Sequence, residues 1–167
     1  MTDFGLPKIH VAVDCTVCPI QPPLADRTNS PYYSGKHKLH CVKYEAAVAS
    51  NGLICSLVGP VPGRIHDLTL FRAELINRLD TGEKVLADKA YQGEGDSCVT
   101  PFRGKDLTPN QDQFNTALGR KRIVVEHAFG KMKVFKALTT PWRHELERHK
   151  KIANIVANIV NLKIKLG

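Results

Sequence analysis

Two β-branched and aromatic runs, Leu39–Ala49 and Leu53–Val58, are separated by little more than Asn51-Gly52. Asn-Gly between such runs is the strongest short-range hairpin signal, because both central residues of the favoured turn need positive φ. The spacing predicts two antiparallel strands long enough to form the middle of a sheet. Gly59-Pro-Val-Pro-Gly63 should then break that sheet. Lys8–Asp14 (KIHVAVD) and Lys84–Asp88 (KVLAD) are two more short apolar runs, each read as a buried strand with its aspartate at the C-terminal end. Between the hairpin and the second of these, Leu68, Phe71, Leu75 and Leu79 recur at helical spacing behind Asp67, which reads as an N-cap rather than a ligand. Strand, crossover helix and strand imply parallel pairing of the two acid-tipped strands. Cys98–Phe102 is a fifth, weaker strand, and PIQPPLADRTNSP is loop.

The second half reads as helix. Thr108-Pro-Asn-Gln111 is a capping box with proline at the first helical position. The helix it opens runs on to about Lys136, or breaks at Gly119. At about 100° per residue, Gly119, Arg122, Glu126, Gly130 and Lys133 share one narrow stripe. Val125, Ala128, Phe129, Met132 and Phe135 occupy the opposite, apolar arc. A last helix from about His144 puts Ile152, Ile155, Val156, Ile159 and Val160 on one face. With 167 residues, 43% hydrophobic, the chain suits one α/β domain over residues 1–167, with the helix at 144–166 packed on it.

Composition narrows the function. No run approaches the roughly 20 apolar residues of a membrane span, and the first residues lack the pattern of a secretory signal. The expectation is a soluble, intracellular protein without a membrane partner. Five cysteines, with Cys41, Cys55 and Cys98 inside apolar segments, suit reduced core thiols. A net charge of +8 favours a polyanion, nucleic acid first. Lys36, Lys38, Lys43, Arg103, Lys105 and Lys121 are candidates to track a DNA backbone, or simply a solvated face. Aromatics at 7% are too sparse for a surface that stacks single strands. Cys15 and Cys18 with His37, His40 or Cys41 form a second, weaker candidate, a zinc site.

Three acids share a description. Asp14 and Asp88 end apolar strands, and Glu126 projects from a helix that packs on the same sheet. If the strands are parallel neighbours, both aspartates emerge at one edge, where open α/β sheets bind ligands. Carboxylates clustered without built-in cations call for metal. Oxygen-only ligation selects Mg²⁺ or Mn²⁺, and two such ions about 3.5–4 Å apart suit in-line phosphoryl displacement.

On these residues the chain resembles, over almost its whole length, the catalytic domain of DDE transposases of the PIF/Harbinger type and related bacterial insertion-sequence transposases. The matching pieces are VDCT (13–16), YSGKHKLH (33–40), PGRIHD (62–67), LADKAYQG (86–93), TPF (100–102) and RIVVEHAFGKMK (122–133). Arg122, Glu126 and Lys133 reproduce the family's R-x3-E-x6-K pattern. Ala90 stands where the family often has glycine, and Gly119 where many bacterial relatives have tyrosine. The resemblance implies an RNase H-like α/β fold whose five-stranded mixed sheet, in the order 3-2-1-4-5, is flanked by helices. It implies Asp14, Asp88 and Glu126 as the catalytic and metal-holding triad of a two-metal Mg²⁺ or Mn²⁺ site. By the resemblance Arg122 and Lys133 would face DNA phosphates beside the triad, and the basic charge adds Lys36, Lys38 and Lys105 as DNA-binding candidates. The implied activity is nicking at transposon ends, then joining of the freed 3′-hydroxyl to target DNA. Many relatives act as homodimers and some with a separate DNA-binding protein. The implied location is the nucleus of a eukaryote or the cytoplasm of a bacterium. Because the first strand begins near residue 8, the family's N-terminal end-binding region is expected to be absent. The alternative is a truncated or domesticated DNA-binding domain without transposase activity.

Overall fold

The structure is a computed structural model that describes residues 11–22 and 29–167. Residues 8–10 of the first expected strand, and residues 23–28 of the proline-rich stretch, lie outside them. β3 (Leu39–Ala49) and β4 (Ile54–Pro62) form the expected antiparallel hairpin. Gly52 turns it at φ 87°, a conformation glycine adopts without penalty. β1 (Val11–Pro19) runs antiparallel to β3. β5 (Val85–Leu86) lies parallel to β1, and β6 (Cys98–Val99) parallel to β5. The five expected strands therefore take the expected neighbours. The addition is β2 (Tyr33–Ser34), which pairs with the start of β3 and makes the sheet six-stranded.

Three sequence expectations change. β1 does not end at Asp14 but continues to Pro19, because β3 is long enough to pair with it from Ala49 to Cys41. Gly59–Pro62 does not break the sheet but belongs to β4, with a cis Gly59-Pro60 bond. Among the described residues β4 pairs with β3 alone, and an edge strand tolerates prolines that cannot donate. Gly59 itself has φ 127°, and a Cβ there would lie 2.7 Å from the Lys43 carbonyl. Third, Asp67 is not an N-cap. The cap position is His66, and the short α1 (Asp67–Leu70) continues as a π turn, Phe71–Leu75, and a 3-10 turn, Ile76–Arg78.

α2 (Pro109–Lys133) is one unbroken helix, with both capping-box bonds made between Thr108 and Gln111. Gly119 is exposed within it, so its weak propensity is outweighed by the packed apolar arc on the other side. That arc is as expected: Val125, Ala128, Phe129 and Met132 are buried. α3 (Leu146–Leu166) buries His149, Ala153, Val156, Ala157 and Val160. Ile155, expected on that face, is 57% exposed, because the buried stripe lies one residue's rotation away from it. Asn161 of α3 both accepts from Ile54 N (2.8 Å) and donates to Ile54 O (2.9 Å), pairing the start of β4 as a strand partner would.

The pleat divides the core. Ala12, Ala46, Val48 and Leu86 face α2 and α3, whereas Val13, Ala47, Val85 and Ala87 face Phe71, Leu75 and Tyr91. The result is a mixed sheet between helical layers, compatible with an RNase H-like fold. The five cysteines are unpaired, and Cys55, expected in an apolar setting, is exposed. No helix among the described residues is long and apolar enough to cross a membrane.

Candidate active site

β1 and β5 are in register only at Ala12 and Leu86. β5 then leaves into the turn Lys89–Tyr91, while β1 runs on beside β3. From Asp14 onward one edge of β1 is uncovered, and a cavity of about 760 Å³ opens there. Asp14, Asp67 and Asp88 line it, with the cations Lys36, Arg64 and Lys133. Lys36 comes from the β2–β3 turn, and Lys133 from the end of α2.

Alternation along β1 turns Asp14 toward α2. Its Oδ1 accepts from Cys15 N (2.7 Å), and its Oδ2 from Arg122 Nη2 (3.3 Å). Burial raises the Asp14 carboxyl above its ordinary value. The Cys15 N–H and Arg122 pull the other way, while Asp88 and Asp67 add to the rise. Asp88 lies just past β5 and caps the following turn, its Oδ1 accepting from Ala90 N (2.6 Å). Among the described residues it makes no ion pair. Asp67 instead accepts from Lys43 Nζ (2.5 Å), which also donates to Ile65 O (2.5 Å). Lys43, a candidate for tracking DNA, is therefore buried and engaged. It projects from the central strand toward α1, where only a partner makes a charge tolerable.

Glu126 is exposed on α2 and does not line the cavity. It stands one turn beyond Arg122, on the helix face that continues to Lys133, and α2 lies on the side to which Asp14 points. The i,i+4 pair between Arg122 and Glu126 is not made, because Arg122 is taken by Asp14. Lys38 and Lys105 are exposed and lie outside the cavity lining. The acids are thus not without built-in cations, as the sequence suggested. Arg122 serves Asp14, Lys43 serves Asp67, and Asp88 has no cation partner among the described residues. Among the described residues no three His, Cys, Asp or Glu groups are close enough to hold a metal, which includes the cysteine–histidine zinc candidates. The donor chemistry of Asp14 and Asp88 nonetheless fits a hard divalent cation, since both offer carboxylate oxygen only.

Sequence reasoning missed what lies behind these acids. Glu45 of β3 is fully buried, and its Oε1 accepts from the Tyr91 hydroxyl (3.0 Å), which also contacts Cys15 Sγ (3.4 Å). Its Oε2 is buried without a partner among the described residues. Burial pushes the Glu45 carboxyl up to about 7, and raises the Cys15 thiol and the Tyr91 hydroxyl well above their ordinary values. Tyr91 N donates to Asp88 O (3.2 Å), so the Tyr91–Glu45 bond ties the turn that carries Asp88 to the central strand. The available signal was a lone acid within a strand that is otherwise apolar after Lys43, YEAAVA.

Comparison with known proteins gives two findings. The family model described as DDE superfamily endonuclease matches residues 13–161. A protein described as a probable transposase for insertion sequence element IS702, from Microchaete diplosiphon, is 32% identical over 164 residues. The match covers 93% of this chain and 58% of that relative, so the chain spans little more than half the relative's length. No solved structure matches.

Proposed function

Since this chain belongs to the DDE superfamily endonuclease family, we propose that it is the catalytic domain of a metal-dependent transposase. It would nick DNA at element ends and join the freed 3′-hydroxyl to target DNA. The observation that carries this reading is the shared cavity: Asp14 and Asp88, from neighbouring parallel strands, meet there beside the cations Lys36, Arg64 and Lys133. Asp14 and Asp88, with Glu126 from α2 as third carboxylate, would hold Mg²⁺ or Mn²⁺. When bound, such ions supply the Lewis acidity that in-line phosphoryl displacement needs.

The chain's own groups do the rest. Lys36 and Lys133, which line the cavity, attract the phosphodiester to it. The Ala90 N–H fixes the Asp88 carboxylate, and the Cys15 N–H fixes that of Asp14. Gly119 and Gly130 on the exposed stripe of α2 leave open space, since a Cβ at either would meet nothing within 4 Å among the described residues. A DNA backbone can therefore approach that stripe closely.

The test is nicking of a labelled duplex carrying inverted-repeat ends, with Mg²⁺ or Mn²⁺. Asp88→Asn keeps the shape and removes the charge, so nicking should fall by a factor on the order of 10² or more while DNA binding persists. Absence of metal-dependent nicking by the wild-type chain would favour a DNA-binding domain without transposase activity. Nicking that survives Asp88→Asn would show that the chemistry sits elsewhere.

A further inference from the structure

Resting on that reading of the acids, we infer that Arg122 is an exchangeable counter-ion. It neutralises Asp14 in the metal-free protein and passes to a DNA phosphate when a divalent cation takes Asp14.

The contact is built to be given up. One guanidinium nitrogen meets one carboxylate oxygen at 3.3 Å, without the paired, shorter bonds of a bidentate fork. The oxygen concerned, Asp14 Oδ2, is the one that carries no backbone bond, since Oδ1 accepts from the Cys15 N–H. A dication and a guanidinium at the same oxygen repel each other, so occupancy by one weakens the hold of the other.

The displaced guanidinium must then find another anion. Its side chain is only 13% exposed, and its Nε is buried with no partner among the described residues. A largely buried cation stripped of its partner is strongly unfavourable. Glu126, one turn along, is the third carboxylate of the proposed site and would itself be engaged. The anion then offered to it is a phosphate entering the cavity that its partner Asp14 lines. Metal and DNA binding are in this way coupled through one side chain, beyond the charge the metal itself brings.

The experiment measures affinity for a 30-base-pair duplex as a function of salt, with and without Ca²⁺, for the wild-type chain, Arg122→Gln and Arg122→Lys. Ca²⁺ itself bridging to phosphate would steepen the log–log slope equally in all three. Release of the residue-122 cation adds one phosphate contact, so Ca²⁺ should steepen the wild-type slope by about 0.9 more than that of Arg122→Gln. Arg122→Lys should retain most of this difference. Without DNA, Arg122→Gln should bind Ca²⁺ several-fold more tightly than wild type in calorimetry. Equal slope changes in wild type and Arg122→Gln, or unchanged Ca²⁺ affinity, would overturn the exchange and leave the metal reading standing. No Ca²⁺ binding by any of the proteins would overturn both.

Discussion

Replacing Glu45 with glutamine should abolish a pH dependence of stability that the wild-type chain carries. Glu45 is 0% exposed, and burial is the main reason its carboxyl holds its proton. The charges of Asp67 and Asp14 push the same way, while the Tyr91 hydroxyl and Lys43 oppose. The carboxyl titrates near 4.5 in the unfolded chain and at about 7 in the folded one. Between those values the folded chain keeps a proton that the unfolded chain has lost. Stability therefore falls as pH rises through this window and levels off above it. At 1.36 kcal/mol per pH step, the gap amounts to about 3 kcal/mol. Glutamine matches the neutral acid in shape, and its carbonyl can still accept from Tyr91. The variant should equal wild type below about pH 4, exceed it by about 1 kcal/mol at pH 5 and by about 3 kcal/mol at pH 8. Urea unfolding at pH 5, 6, 7 and 8, with the slope m unchanged, reads the difference. A wild-type-minus-variant difference that stays flat over this range would refute the reasoning. A variant less stable than wild type at pH 8 would mean that Glu45 is ionised and paired.

Other changes probe separate links. Lys133→Ala should weaken DNA binding alike for all sequences and lower the salt slope by about 0.9, as read by titration at several salt concentrations. Lys43→Met leaves Asp67 without its cation, and should cost about 3 kcal/mol in urea unfolding; adding Asp67→Asn should recover most of that loss. Asn161→Ala strips both partners from Ile54 and should cost about 1–3 kcal/mol. Thr108→Ala removes the capping box and should cost about 1 kcal/mol, seen as an earlier unfolding midpoint.

Local chemistry alone determined a good part of this protein. Asn51-Gly52 marks the hairpin, where Gly52 alone takes the positive φ that glycine adopts without penalty. Thr108 and Gln111 set the start of α2, and the 3.6-residue period sets which of its faces is buried. These signals act within a few residues, so neighbours in sequence suffice to read them. The acids at 14 and 88 were legible as strand-borne, since apolar runs precede both.

What the sequence could not decide is which groups meet across the sheet. Asp14 read as a strand end, but β1 continues because β3, some 30 residues later, pairs with it. Asp67 read as a cap and Lys43 as a DNA contact, yet each is the other's partner, 24 residues apart. Arg122 had Glu126 one turn away and bonds instead to Asp14, 108 residues distant. Glu45 and Tyr91 gave no local signal of their bond. Burial is the reason in each case. A charge or hydroxyl taken from water must find a partner wherever the fold brings one, and that choice is made by packing, not by adjacency in the chain.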